Sequence, residues 1–349
     1  MARYLVTGGA GFVGSHVAAA LHKRGDEVVV VDNLSQGHRA AVPPQAELIV
    51  ADLLAPGLLD SVLGRSRWDG VLHFAALSLV GDSMQRPLHY LLENGSAGLH
   101  LIAACIRNAV PRFVLSSTAN LFGAPDIIPI GETAAMAPSS PYGESKLILE
   151  RALRWADQLH GFRSACLRYF NAAGADENGQ LGEDHTPETH LIPLVIDAAL
   201  GRRDEISVFG TDYATQDGTC IRDYVHVSDL AQAHLLALDQ LHDRSVTYNL
   251  GNGRGFSVRE VIEAVELVSG RKVPVREAPR RAGDPPVLVA ASDLIRRDTG
   301  WTPRFTELTE IVRTAYEWRR DHPHGYGSLA PKLVAEQHSG LAVVSSAAA

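Results

Sequence analysis

Thr7-Gly8-Gly9-Ala10-Gly11-Phe12-Val13-Gly14 decides the fold. The stretch follows the apolar run Tyr4–Thr7 and opens a helical pattern over Val13–Lys23, so it occupies a strand-to-helix turn. Gly8 permits a tight turn, Gly11 lets a pyrophosphate approach the backbone at a helix N-terminus, and Gly14 lets the helix pack closely on the strand. Eighteen residues past Gly14, the run Val28–Val31 ends in Asp32. A carboxylate there accepts from a ribose diol and repels a 2′-phosphate, which favours NAD over NADP.

Outward from this turn, short apolar runs alternate with helical stretches. Strands are expected at Tyr4–Thr7, Val28–Val31, Glu47–Val50, Val71–Phe74 and Phe113–Ser116, with helices at Val13–Lys23 and Gly98–Asn108. Near-continuous apolar strands separated by helices read as an α/β Rossmann fold with a doubly wound parallel sheet. A long helix is expected from Tyr142 to His160, then a strand at Ala165–Tyr169. Residues 171–190 turn polar and acidic. Beyond them come a helix at Leu191–Leu200, a strand in Ile206–Gly210, a helix at Val225–Leu241, a strand at Thr247–Leu250 and a helix at Val258–Ser269. The expected division is an NAD-binding domain over 1–170, to which 222–251 return. A smaller, interleaved α+β substrate lobe would comprise 171–221 and 252–327, with a tail at 328–349.

Bulk properties exclude several classes. A net charge of −8 over 349 residues offers no basic surface for nucleic acid. Cys105, Cys166 and Cys220 form no CxxC pair, which fits a reducing cytoplasm better than a disulfide framework or a zinc site. No apolar run approaches the ~20 residues that span a bilayer, and no leader pattern precedes the first strand. His185 and His190 lack a carboxylate or third histidine at helical spacing, so a solvated loop and no metal are expected.

Tyr142 and Lys146 start the long helix four residues apart, on one face. An ammonium and a positive nicotinamide ring nearby would lower a phenol pKa by about three units, roughly 4 kcal/mol, and make it a usable base. Upstream, Phe113–Thr118 is an apolar strand ending in three hydroxyls, and Thr118 would face the same crevice. Ala119 and Asn120 follow it. Neither donates as a general acid, which counts against a 4,6-dehydratase or a decarboxylase.

With these motifs in place, the chain resembles the extended short-chain dehydrogenase/reductases over residues 3–327, and within them the UDP-glucose (UDP-galactose) 4-epimerases. The blocks containing Arg168–Asn171, Asp217–Val227 and Arg280–Pro285 carry the narrower likeness. The resemblance implies a homodimer through helices near 98–108 and 142–160, and a redox-neutral reaction on a UDP-sugar. Tyr142 would be the base, Lys146 its helper and Thr118 the family's Ser/Thr.

It places Phe12, Val13, Asp32, Asn33, Asp52, Leu53, Phe74, Ala75, Ala76, Ser78, Asn94 and Phe170 around NAD, together with Gly8, Gly11 and Gly14. Asp52 reads equally well as a plain helix cap. Asn171, His190, Leu191, Phe209, Arg222, Arg281, Asp284 and Leu288 fall around the UDP-sugar. Several positions depart from the family pattern. Ser78 replaces a lysine of some members, His190 an asparagine, and Phe122 a tyrosine expected near the sugar. Leu288 stands where residue size governs room around the sugar C2 substituent, leaving N-acetyl sugars open.

Overall fold

The computed structural model describes residues 1–123, 125–281 and 284–327; the tail expected at 328–349 lies outside them. In chain order the elements of the first half are β1 (Arg3–Thr7), α1 (Phe12–Lys23), β2 (Glu27–Asp32), β3 (Glu47–Val50), α2 (Leu58–Leu63), β4 (Gly70–His73), α3 (Val80–Gln85), α4 (Pro87–Arg107), β5 (Arg112–Thr118), α5 (Pro141–His160) and β6 (Arg163–Tyr169). The second half continues with β7 (Asn171–Ala173), α6 (Leu191–Ala199), β8 (Ile206–Phe209), β9 (Ile221–His226), α7 (Val227–Asp239), β10 (Val246–Leu250), β11 (Gly255–Ser257), α8 (Val258–Ser269), β12 (Val275–Ala278), β13 (Val287–Leu288), α9 (Asp293–Thr299) and α10 (Leu308–Asp321).

Seven parallel strands form the main sheet in the order β3-β2-β1-β4-β5-β6-β10. The order reverses between β1 and β4, so their carboxyl ends open the crevice where such sheets bind dinucleotides. Core residues fill both faces. Val6, Val30, Leu72, Val114 and Leu167 pack beneath α1 and α7, and Leu5, Val29, Val71, Phe113 and Leu115 beneath α4 and α5. This two-sided burial explains the unbroken apolar strands.

The smaller lobe has its own core. Ile192, Val195, Ile196, Val261, Val265, Ile311 and Val312 from α6, α8 and α10 pack against β7 and β9. β9 pairs with β7, β11 and β13, and β8 with β12. Residues 222–226 therefore belong to the lobe's sheet, and the chain returns to the large domain only with α7. The helix expected at Gly98–Asn108 begins eleven residues earlier, at Pro87. Its first half carries exposed Leu88 and Leu92, which present no buried stripe.

Candidate active site

The glycine turn is built as its sequence requires. Gly8 has φ +72°, and a Cβ there would lie 2.3 Å from the Ala75 nitrogen; one at Gly14 would lie 2.2 Å from the Gly8 carbonyl oxygen. Gly11 begins α1 with no side-chain cap and no acidic residue in the first turn. The first amides of α1, at Phe12 and Val13, thus face the crevice as an anion cradle. Asp32 ends β2, where its carboxylate accepts from the Ala10 and Leu34 amides at 3.0 and 2.8 Å. Each oxygen keeps a lone pair for a ribose hydroxyl. The turn and the carboxylate both fit a dinucleotide.

Other residues assigned to that site divide by role. Asn33 donates to Asp52 at 3.2 Å, and Asp52 accepts from the Leu54 amide at 2.9 Å in a turn; it caps no helix, since α2 begins at Leu58 after Gly57. Leu53 is buried in the core, while Ala76 and Ser78 are exposed. The Phe74 ring packs 5.0 Å from His234, and Phe170 donates its amide to Leu250. The buried Asn94 amide group grips the Leu77 backbone from both sides and donates to Ser145 Oγ at 3.1 Å. Asn94 thereby ties the loop after β4 to the start of α5.

Helix α5 carries the chemistry. Ser140 caps it through the Gly143 amide at 3.1 Å, and Pro141 sits in its first turn. A Cβ at Gly143 would lie 2.5 Å from the Asn120 oxygen, so only glycine lets α5 close against the segment after Thr118. Positions 142, 146 and 150 then form one stripe aimed at the end of β5. Lys146 is fully buried and donates to the Ser116 carbonyl at 2.8 Å. Glu150 accepts from Ser117 Oγ at 2.6 Å and holds Arg168 by a buried, forked ion pair. Arg168 reaches on to the Glu132 carbonyl. Glu150 and Arg168 are positioning residues beyond the Tyr142–Lys146 pair, and Glu150 continues its helical stripe at i+8 from Tyr142.

Thr118 is more constrained than a lone hydroxyl. Its Oγ1 accepts from the Asn120 backbone amide at 3.2 Å and from Asn120 Nδ2 at 3.1 Å. With both lone pairs taken, its single hydrogen must be donated outward. Burial raises the Tyr142 phenol above its usual range, and the Thr118 hydroxyl pulls it back. Burial alone lowers Lys146 to about 8. Thr118, and not Lys146, is the group that eases the phenol's ionisation here. Both charged forms are disfavoured until further charge enters the crevice.

Arg222, on β9, donates to Asp284 at 2.6 Å, and the Asp284 amide donates to the Arg281 carbonyl. The Arg281 guanidinium lies 4.1 Å over the Phe209 ring. These four residues form one cationic, partly aromatic patch, with Leu288 paired to Arg222 across β13 and β9. Asn171, on β7, and Leu191, at the start of α6, are half-buried. Phe122 is a correction. It is 2 % exposed and lies under the Arg168 guanidinium, inside the core. A second correction concerns residues 183–190. Residues 183–190 form a loop with Thr186, Pro187, Thr189 and His190 exposed, but its Glu183 and Glu188 side chains are buried beside His185.

A dinucleotide cradle, a buried Tyr/Lys pair and a hydroxyl donor at a parallel strand end define a nicotinamide-dependent catalyst of the Rossmann class. The model of the NAD dependent epimerase/dehydratase family matches residues 4–251, and the chain belongs to that family. It is 49% identical over 329 residues to a UDP-glucose 4-epimerase of Azospirillum brasilense, covering 93% of this chain and 94% of that one. Identity to the Halalkalibacterium halodurans UDP-glucose 4-epimerase is 47% over 327 residues, covering 93% and 97%. Among solved structures, the Brucella ovis UDP-glucose 4-epimerase in complex with NAD superposes with a TM-score of 0.88 at 44% identity, covering 91% of this chain and 98% of that one. Among the described residues, no helix is long and apolar enough to cross a membrane.

Proposed function

We propose that the protein is a UDP-glucose 4-epimerase, interconverting UDP-galactose and UDP-glucose through a transient 4-keto sugar. One observation carries this reading: Tyr142, Thr118 and Lys146 meet at the end of β5, and the acid on the same stripe, Glu150, is committed to Ser117 and Arg168. Such a site moves one proton and has nothing to expel a leaving group with.

Bound NAD supplies the acceptor and the donor of a hydride. Tyr142 takes the proton of the sugar 4-hydroxyl and returns it. Thr118, obliged to donate, stabilises whichever oxygen, phenolic or sugar, carries the negative charge. Lys146, anchored to Ser116, places its remaining donors toward the crevice beside Tyr142. Arg222 and Arg281 hold the diphosphate by planar forks, with Asp284 aligning the first. Fixing the nucleotide while leaving the sugar loosely held allows the keto sugar to present its other face. Conversion of UDP-galactose to UDP-glucose by the purified protein, with no cofactor added, tests this. No conversion by dinucleotide-loaded protein would refute it, and preference for an N-acetylated, pentose or uronic acid sugar would shift the assignment to the same chemistry on another UDP-sugar. Leu288, intermediate in size, is the residue to vary in that case.

The active unit is a cytoplasmic homodimer in this proposal. Trp155 and Leu159 are exposed on α5, level with the end of α4, since Asn94 meets Ser145 and Gly98 meets Leu149 along the two helices. Light scattering of wild type and Trp155→Glu checks the association.

A further inference from the structure

Residues 182–190 lie against the nucleotide-binding edge, joined by His38 to the Asp184 carbonyl at 2.9 Å and by Gln36 to the Thr186 carbonyl at 3.1 Å. Within this segment the ligand atoms of Glu183, His185, Glu188 and His190 all fall within 4.8 Å of one another. His185 Nδ1 stands 3.3 Å from Glu183 Oε1 and 3.7 Å from Glu188 Oε1, and His190 Nδ1 contacts the same Glu183 oxygen. Donors about 2.0–2.1 Å from a tetrahedral zinc ion stand about 3.4 Å from each other. The two His185 separations bracket that spacing.

A second observation is independent of these distances. The Glu188 side chain is 8% exposed, and its Oε2 has no hydrogen-bond donor. The nearest cation, Arg319, is 3.8 Å away and is already forked onto Asp197. Its other oxygen accepts from the Thr189 and His190 amides and faces His185. A carboxylate buried with one oxygen unsatisfied is costly unless a cation completes it.

We propose that Glu183, His185, Glu188 and His190 form a site for one divalent transition-metal ion, of which zinc is the natural occupant. Two imidazoles and two carboxylates without a thiolate suit Zn²⁺, Co²⁺ or Ni²⁺, and offer too few oxygens for Ca²⁺. The ion would fasten two working edges. The His185 ring packs edge-on against Phe12 at 6.4 Å, and His190 precedes α6. This site stands apart from the proton-transfer machinery, and through His190 it borders the expected sugar-nucleotide site.

The test uses the full chain, stripped with chelator and titrated with Co²⁺ and then Zn²⁺. The expected result is one Co²⁺ per chain with the strong visible absorption of a four- or five-coordinate ion, displaced by one equivalent of Zn²⁺. His185→Ala and, separately, the isosteric Glu188→Gln should each weaken Zn²⁺ binding by at least about tenfold. Sub-stoichiometric binding, a weak six-coordinate spectrum, or unchanged affinity in Glu188→Gln would overturn the site. If His185→Ala does not fold, the wild-type stoichiometry and Glu188→Gln decide.

Discussion

Changing Tyr142 to Phe removes one oxygen and preserves a ring that already fits its buried place. Burial holds the phenol above its usual range, so the bare site is a weak base. The base still accounts for about 10²–10⁴ in rate, or roughly 3–5 kcal/mol of barrier, once the crevice is filled. Tyr142→Phe should therefore lower kcat by that factor. KM for the sugar nucleotide should change little, because Arg222 and Arg281 hold it elsewhere. Thr118→Val removes the donated hydrogen bond together with the acceptor of the Asn120 amide and Nδ2, so bound dinucleotide and folding are checked beside the rate. A bond to a charged oxygen contributes about 1.5–3 kcal/mol, which sets a loss of about ten- to a hundredfold. Because Thr118 serves the oxygen that Tyr142 deprotonates, the second loss should shrink in the Phe background. Sugar conversion followed by proton NMR, with bound dinucleotide measured in every variant, gives all four corners of the cycle. A Tyr142→Phe enzyme within tenfold of wild type, or full additivity of the two losses, would refute this coupling.

Lys146 is lowered by burial to about 8, so its ammonium is present below that pH and lost as pH rises through it. The rate should accordingly fall on the alkaline side near pH 8, and a pH profile still climbing at about pH 10 would show the charge is not needed. Asp32→Asn keeps the size, turns an NH2 donor against the Ala10 or Leu34 amide and removes the repulsion of a 2′-phosphate; NAD affinity should fall and NADP affinity rise by about tenfold each, measured by fluorescence titration. Glu150→Gln breaks a carboxylate–guanidinium pair whose side chains are both 4% exposed. The denaturation midpoint should drop by the equivalent of about 3–5 kcal/mol, together with turnover, since Ser117 and β5 lose their clamp.

The strongly periodic parts of this chain were legible because burial on both faces writes the same signal at every residue. β1, β2 and the glycine turn were placed within a residue or two on that ground. The Tyr142–Lys146 pair was legible because helical spacing fixes which side chains share a face. Glu150 continues the same stripe, yet without Ser117 and Arg168 beside it a carboxylate at i+8 looks like any exposed glutamate. Phe122 misled for the opposite reason. Its position in a motif suggested a role near the sugar, but strand β5 turns into a short helix after Thr118 and drives the ring beneath Arg168. Asn120 shows the same limit on a smaller scale. Its sequence position excluded an acid, but only the turn geometry reveals that it occupies both lone pairs of Thr118. The Glu183–His190 cluster has no period at all, with separations of two, three and two residues. A loop can bring such positions to one point only when both its ends are held. Here β7 and the start of α6 hold them, and the bonds from Gln36 and His38 press the middle inward. Periodicity reveals what regular backbone brings together; a site gathered by an irregular segment becomes visible only through the contacts that bend it.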